Sequence, residues 1–451
     1  MILNIIDTST TIVAPATAAG GAVMVTRLSG SRAIEIADKI FRGRKPLAEC
    51  EGYTLHYGTI RNEQSEVIDD VVVALFRAPN SYTGDDTVEI TTHGSEHICS
   101  ELLRLAIGFG ATMATPGEFT RRAFLAGKMD LSRAEAVADI ISSDSSWAHT
   151  IASTQMRGGY SAKLAEMRGE LLRLCSLLEL ELDFSEEDVE FADRTLLKSI
   201  ITDVEYQVSA LLTSFSTGNA IKNGVNVAIV GEPNVGKSTL LNALVEDDRA
   251  MVSDVAGTTR DTIEATTIID GIRFRFVDTA GIHDTANELE KMGIERTHRA
   301  IEKAYIILHL TSAENPEFKD IERNADQHYI QVVNKIDKNI DVDRSSADTT
   351  LYISAKQNIG IDELRCRLRS TVDTSSLNAN SVVVSNMRHY AALRAAHEAL
   401  LSAHAAIESN MPSDLISEDI RQVLHHLGEI TGEITSDDIL HSIFSKFCIG
   451  K

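Results

Sequence analysis

The stretch that most constrains this chain is Val225–Leu241, VNVAIVGEPNVGKSTLL. The β-branched run Val225–Val230 reads as a buried strand, and Thr239–Val245 reads as a helix. Between them, residues 231–238 have the pattern G-x-x-x-x-G-K-S. Strand, glycine loop and helix in that order are what a phosphate-binding loop requires. Gly231 and Gly236 let the backbone curl, so that successive N–H groups of Asn234, Val235 and their neighbours face phosphate oxygens. Lys237 is expected to reach the β- and γ-phosphates. Ser238 offers a hydroxyl to Mg²⁺, and the helix start at Thr239 adds its dipole.

Further motifs lie downstream. Ser253 precedes Asp254-Val255-Ala256-Gly257-Thr258-Thr259, whose hydroxyls suit a second Mg²⁺ ligand on a switch segment. The strand Phe274–Val277 runs into Asp278-Thr279-Ala280-Gly281. There the Asp can hold the metal through water, and the Gly N–H can meet the γ-phosphate. The strand Tyr329–Val333 runs into Asn334-Lys335-Ile336-Asp337. Asp337 can accept both N1–H and the exocyclic amine of guanine, a donor pair that adenine lacks. Ser354-Ala355-Lys356, after the strand Leu351–Ile353, completes a base site. These motifs in this order predict GTP as the nucleotide and phosphoryl transfer to water as the chemistry.

The catalytic parts are less regular. Ras-like proteins place a water-orienting Gln after D-x-x-G; here Ile282 stands there and cannot hydrogen-bond. Asp284, Glu288 and Glu290 are the nearby carboxylates. No arginine finger is evident in the switch: Arg260 adjoins the Thr pair, and a surface ion pair accounts for it. Asn234 has two readings. Its side chain either coordinates a monovalent cation beside the β-phosphate or caps the loop.

A length of 451 residues predicts two to four domains. Acidic residues outnumber basic ones, 66 to 43, for a formal charge of −23. That balance excludes broad nonspecific nucleic-acid binding, which Lys and Arg carry. The five cysteines are scattered, with neither a disulfide framework nor metal-ligand spacing. The N-terminus lacks the basic and apolar regions of a signal peptide, and no apolar run is long enough to span a membrane, so a cytoplasmic location is expected.

Residues 1–125 mix predicted strands (22–28, 53–60, 70–76, 87–92) with predicted helices (31–41, 95–108), an α/β pattern. Arg27, Glu89 and His93 lie near strand ends, where single polar residues are commonly structural. Residues 118–217 turn helical, and so do 387–407, 415–427 and 436–444 after the polar linker DTSSLNANS. The nucleotide motifs are thus flanked by helices on both sides; an insertion into one helical domain is the economical architecture, and two separate helical domains would give the same pattern. The chain ends in Phe447-Cys448-Ile449-Gly450-Lys451, which does not fit prenylation. Cys448 is either an inert thiol or part of a site.

The chain resembles the MnmE (TrmE) family of tRNA wobble-uridine modification GTPases, nearly end to end. The resemblance rests on VTRLSG, EITTHGS, TPGEFTRRAFLAGKMDLSRAEAV, GEPNVGKSTLLNAL, DVAGTTRD, DTAGI and ITGEITSDDILHSIFSKFCIGK. Two departures are ATAAGGA in place of a Pro-Gly-Arg-Gly-like stretch and His283 in place of the usual Arg. The resemblance implies a multidomain α/β protein. Its parts would be an N-terminal α/β tetrahydrofolate-binding and dimerisation domain (1–125), a discontinuous all-helical domain (126–217 and 376–451) and an inserted Ras-like P-loop GTPase domain (218–375). It implies Mg²⁺ on Ser238 and Thr259, and K⁺ on Asn234, Ser253, Val255 and Thr258. Glu290 would be the catalytic carboxylate. A folate, 5,10-methylenetetrahydrofolate with 5-formyltetrahydrofolate as its analogue, would be held by Arg27, Glu89, Lys128 and Lys451, with Cys448 a candidate modification site. The implied partners are a second copy of the chain, an FAD-dependent protein of the MnmG (GidA) type in a heterotetramer, and tRNA. The competing class is a potassium-dependent regulatory or ribosome-assembly GTPase without folate chemistry.

Overall fold

The computed structural model describes residues 10–18, 20–183, 194–245, 264–278, 298–324, 326–338, 350–374 and 382–451. These divide into two compact units, Met1–Ala138 with Gly428–Lys451, and Asp139–Leu427.

The first unit is built on strands β1 (Ile12–Pro15), β2 (Val23–Ser29), β3 (Phe41–Gly43), β4 (Thr54–Arg61), β5 (Val67–Phe76), β6 (Thr87–His93) and β7 (Thr112–Met113). They form one sheet in the order β3-β4-β5-β6-β2-β1-β7. All pairs are antiparallel except β1 with β7. Alternation along the strands turns Leu28, Val73, Leu75, Val88 and Ile90 to one face. The helices Ala33–Ile40 and Glu96–Gly108 cover that face with Ile36, Ile40, Leu102 and Leu105. The helix expected over 31–41 stops at Ile40, because Phe41 leaves it to pair with Ile60 as an edge strand. Gly43 and Gly58 lie opposite each other there. A Cβ on either would come within 2.6 Å of the Phe41 ring, so the ring takes the space their side chains would fill. Strands β1 and β7 were not expected; each is short, and their pairing joins segments about a hundred residues apart. The chain end returns to this unit. The helix Asp437–Phe444 buries Leu440, Ile443 and Phe444 against Leu131 and Ala134, with Phe447 beside them.

The second unit combines long helices with a second sheet. Helix Gly159–Asp183 buries Leu164, Met167, Leu171, Leu174 and Leu178. Helix Arg194–Asn223 buries Leu197, Ile201, Val204, Val208 and Leu211, and Met387–Glu408 buries Leu393, Ala396, Leu400 and Ala403. Steps of three and four residues put each set on one stripe. Truncating one of these leucines to Ala costs about 2–5 kcal/mol. Among the described residues, no helix is long and apolar enough to cross a membrane.

The sheet of this unit contains β8 (Val225–Val230), β9 (Glu264–Ile269), β10 (Ile272–Asp278), β11 (Ile306–Ser312), β12 (His328–Asn334) and β13 (Thr350–Tyr352). Their order is β13-β12-β11-β8-β10-β9, parallel except for β9. The strands expected at 225–230, 274–277, 329–333 and 351–353 are β8, β10, β12 and β13. Strands β9 and β11 were not expected, although β11 (IILHLTS) is buried over all but its last residue. Helix Arg194–Asn223 feeds β8 through Gly224, which has φ +86°. A Cβ on Gly224 would lie 2.9 Å from Arg275 Cδ, and Arg275 Nη1 donates to the Asn223 carbonyl at 3.3 Å. The β9–β10 turn, Asp270-Gly271, has positive φ at both residues, as a two-residue hairpin needs. It sits on the start of helix Ser146–Met156, where the Trp147 N–H donates to the Gly271 carbonyl at 3.3 Å.

Candidate functional site

Strand β8 has β11 on one side and β10 on the other, so the crossovers leave in opposite directions at its C-terminal end. That is the switch point where open α/β sheets bind ligands. Residues 231–236 occupy it, and the helix Lys237–Val245 follows. Gly231 has φ +156° and Gly236 φ +101°. A Cβ on Gly231 would lie 2.2 Å from the Leu310 carbonyl oxygen, and one on Gly236 would lie 2.4 Å from Asn334 Nδ2. The first clash is with backbone and the second with an amide that the Val235 carbonyl holds in place, so with these φ values both positions require glycine.

Lys237 is buried, and its ammonium donates to the carbonyls of Gly231 at 2.7 Å and Glu232 at 3.0 Å. It therefore lies folded along the inside of the loop. Ser238 and Thr239 are exposed on the first helical turn. Asn234 holds φ +66°. Its carbonyl accepts a bond from the Lys335 ammonium, while its exposed side chain makes no hydrogen bond among the described residues.

The base motif is wired to the loop. Asn334 is 2% exposed and bonds in both directions. Its Nδ2 donates to the Val235 carbonyl at 2.9 Å, and its Oδ1 accepts from the Ala355 N–H at 3.0 Å. The hydroxyl of buried Ser354 donates to Asp337 Oδ1 at 2.6 Å. That bond, with Lys356 and Lys338 near, holds the Asp337 carboxyl below its ordinary range. As the pH falls, Asp337 thus stays ionised and able to accept longer than a free carboxylate would. Ser354→Ala is expected to remove the shift and move the acid loss of GTP affinity to higher pH. Nucleotide titrations at stepped pH would read this, and superimposable acid limbs would refute it.

The structure thus brings together Asn234, Val235, Gly236, Lys237, Asn334, Lys335, Asp337, Ser354, Ala355 and Lys356. Ser253, Asp254, Val255, Ala256, Gly257, Thr258, Thr259, Thr279, Ala280, Gly281 and Glu290 lie outside the described residues, as does the Asp278 side chain. Sequence reading missed the ion pair of Lys319 with Glu232, 2.8 Å, because the two residues are 87 positions apart.

A second cluster forms in the first unit. Arg27 and Glu89 face each other across β2 and β6, and Arg27 Nε donates to Glu89 Oε1 at 2.8 Å. The guanidinium lies 5.5 Å from the Tyr82 ring centre and 5.4 Å from that of Phe119. Its Nη1 donates to the Gly450 carbonyl at 3.3 Å, joining residues 423 positions apart. Gly450 fits closely, since a Cβ there would lie 2.0 Å from the Pro15 carbonyl oxygen. Lys128 donates to the Pro79 carbonyl, on the loop that leads to Tyr82. The Lys451 N–H donates to the Cys448 carbonyl at 3.4 Å, and Cys448 is exposed. His93 belongs elsewhere, with Nδ1 2.7 Å from Asp69.

A glycine loop at the switch point of this sheet, tied through Asn334 to the segment that carries Asp337 and Ser354, defines a P-loop GTPase. Two family profiles extend that class over the chain: "GTP-binding protein TrmE N-terminus" matches residues 11–128, and "MnmE helical domain" matches 131–448. The chain belongs to the MnmE family of tRNA modification GTPases. Curated relatives named tRNA modification GTPase MnmE include one from Cytophaga hutchinsonii, 47% identical over 98% of each chain. Another, from Bacteroides fragilis, is 46% identical over 98% of this chain and 99% of its own. Among solved structures, the Era protein of Aquifex aeolicus bound to GDP and AlF4⁻ is 28% identical. It covers 39% of this chain and 66% of its own, with a TM-score of 0.26.

Proposed function

We propose that the chain couples GTP hydrolysis to modification of tRNA, adding an aminomethyl-type group at C5 of the wobble uridine. The reaction would run with a folate on the N-terminal sheet and an FAD-dependent partner of the MnmG type. The observation that carries this reading is the Arg27–Glu89 pair capped by the Gly450 carbonyl. A carboxylate beside a guanidinium suits the donor edge of a pterin, and aromatic rings at the same place suit its face. Lys128 and Lys451 are cations for the glutamate tail. The folate supplies a one-carbon unit when bound; Arg27, Glu89 and the tail bind and orient it, with Cys448 beside them as a candidate for covalent chemistry.

In the nucleotide site, Ser238 and Thr259 would hold Mg²⁺. Asn234, Ser253, Val255 and Thr258 would hold K⁺, a role favoured by the exposed Asn234 side chain that caps nothing among the described residues. Glu290 would orient the attacking water, since Ile282 cannot. On this reading the domains are 1–125 for folate and dimerisation, 126–217 with 376–451 for the helical domain, and 218–375 for the GTPase module. Pairing of two copies through the N-terminal domain is supported by Leu55, 73% exposed, and Tyr57, 71% exposed, on β4 beside Val72 of β5. A heterotetramer with the flavin partner, acting in the cytoplasm, completes the reading.

The test is equilibrium binding of 5-formyltetrahydrofolate to the full chain. Saturable binding that Glu89→Ala weakens at least tenfold is expected. No binding would favour a regulatory GTPase without folate chemistry. Hydrolysis is also expected to run at least ten times faster in K⁺ than in Na⁺ at equal ionic strength; equal rates would remove the cation role.

A further inference from the structure

A cavity of about 360 Å³ opens beside the phosphate loop, on the face of the sheet carrying His309 and Thr311. Its origin is the connection from β11 to β12. A parallel crossover ordinarily lays a helix over the sheet. Here no residue described between 313 and 327 is helical. Ile321 of that loop covers part of the face, and the space left is walled by Val230, Val235 and Ile301. The volume lies at the lower end of small-molecule sites.

Two buried polar groups line this space. His309 is 5% exposed. Its Nδ1 lies 2.7 Å from the Tyr329 hydroxyl, and Phe318 meets its ring edge-on at 5.1 Å. No described residue pairs with its Nε2. Burial lowers the His309 pKa, which favours the neutral imidazole. The Thr311 hydroxyl, in a residue 6% exposed, has no hydrogen-bond partner among the described residues. Buried polar groups in native proteins ordinarily have partners. Neither group serves the nucleotide motifs, and both face a space where a guest could bond them.

The mouth has a definite charge. Glu232, Glu317, Asp320 and Glu322 surround it, against Lys319, which is held by Glu232. We propose that this cavity binds a small amphipathic amine, with an apolar or aromatic body inside, a hydrogen-bonding edge on His309 and a cationic group among the carboxylates. Gly231, Glu232 and Val235 belong both to the cavity wall and to the phosphate loop. An amine that competes with Lys319 for Glu232 therefore acts on the nucleotide site, and linkage requires GTP to act on the amine in return.

The experiment is calorimetric titration of the full chain with tryptamine, indole and indole-3-propionate, which share a ring system and differ in charge. Tryptamine should bind saturably at one site, indole more weakly, and the propionate not at all. His309→Phe, which keeps a ring at the position and removes both nitrogens, should weaken tryptamine at least tenfold while GTP still binds, and Tyr329→Phe, which removes only the Nδ1 partner, should not. The surface variant Glu317→Gln/Asp320→Asn/Glu322→Gln should bring tryptamine down to the level of indole. Absence of saturable tryptamine binding would overturn the proposal, as would equal binding of the propionate or wild-type affinity in both His309→Phe and the surface variant.

Discussion

Gly236→Ala is expected to lower GTP affinity at least ~100-fold, or about 3 kcal/mol. Two costs coincide at this position. The φ of +101° is one that L side chains rarely adopt. The new methyl would also stand 2.4 Å from Asn334 Nδ2, which is held by the Val235 carbonyl and cannot rotate away without breaking that bond. Asn334 also fixes Ala355 through its Oδ1, so displacing it disturbs the guanine site together with the phosphate site. The substitution thus reaches both ends of the nucleotide. Titration with a fluorescent GTP analogue would measure the loss, with thermal unfolding as a control for the fold. Affinity within a few-fold of wild type would show that the loop and the base motif move independently.

Removing residues 448–451 is expected to abolish tRNA modification and to weaken folate binding at least tenfold, leaving GTP hydrolysis at its wild-type rate. The deletion takes away the carbonyl that accepts from Arg27, a bond of the charge-assisted class worth about 1.5–3 kcal/mol. It spares Phe444 and Phe447, which seat the last helix on Leu131 and Ala134. The unit should therefore stay folded. Gly450→Val makes the same point without shortening the chain, since its Cβ would meet the Pro15 carbonyl oxygen at 2.0 Å. Normal modification by either variant would detach the tail from the folate site.

What could be read in the chain beforehand follows the range of the interactions. The phosphate loop is local: glycine spacing, a lysine and a following helix sit within seventeen residues, and the structure places them as their order implies. Asn334 was readable as part of a base motif, but its bond to Val235, 99 positions away, was not. The resemblance named Arg27, Glu89 and Lys451 together. The structure adds that the tail atom reaching Arg27 is the backbone carbonyl of Gly450, which no residue pattern specifies. Strand β11 was missed for another reason. His309 and Thr311 interrupt its apolar run, and polar residues at that spacing read as a surface until β8 and β12 are seen on either side. The same holds for β1 and β7, whose pairing depends on a partner far along the chain.

The glycine joint ahead of β8 has a mechanical consequence. Helix Arg194–Asn223 is 30 residues long, hence about 45 Å from end to end. It enters the central strand of the nucleotide-binding sheet with one residue between, and Arg275 packs over that residue while bonding the last helical carbonyl. Such a joint is stiff. A tilt of the sheet is passed on to the helix, which acts as a lever arm: a swing of roughly 10° carries its far end about 8 Å. A rearrangement around the phosphates that tilted the sheet would become a displacement as large as a side chain at the other end of the rod.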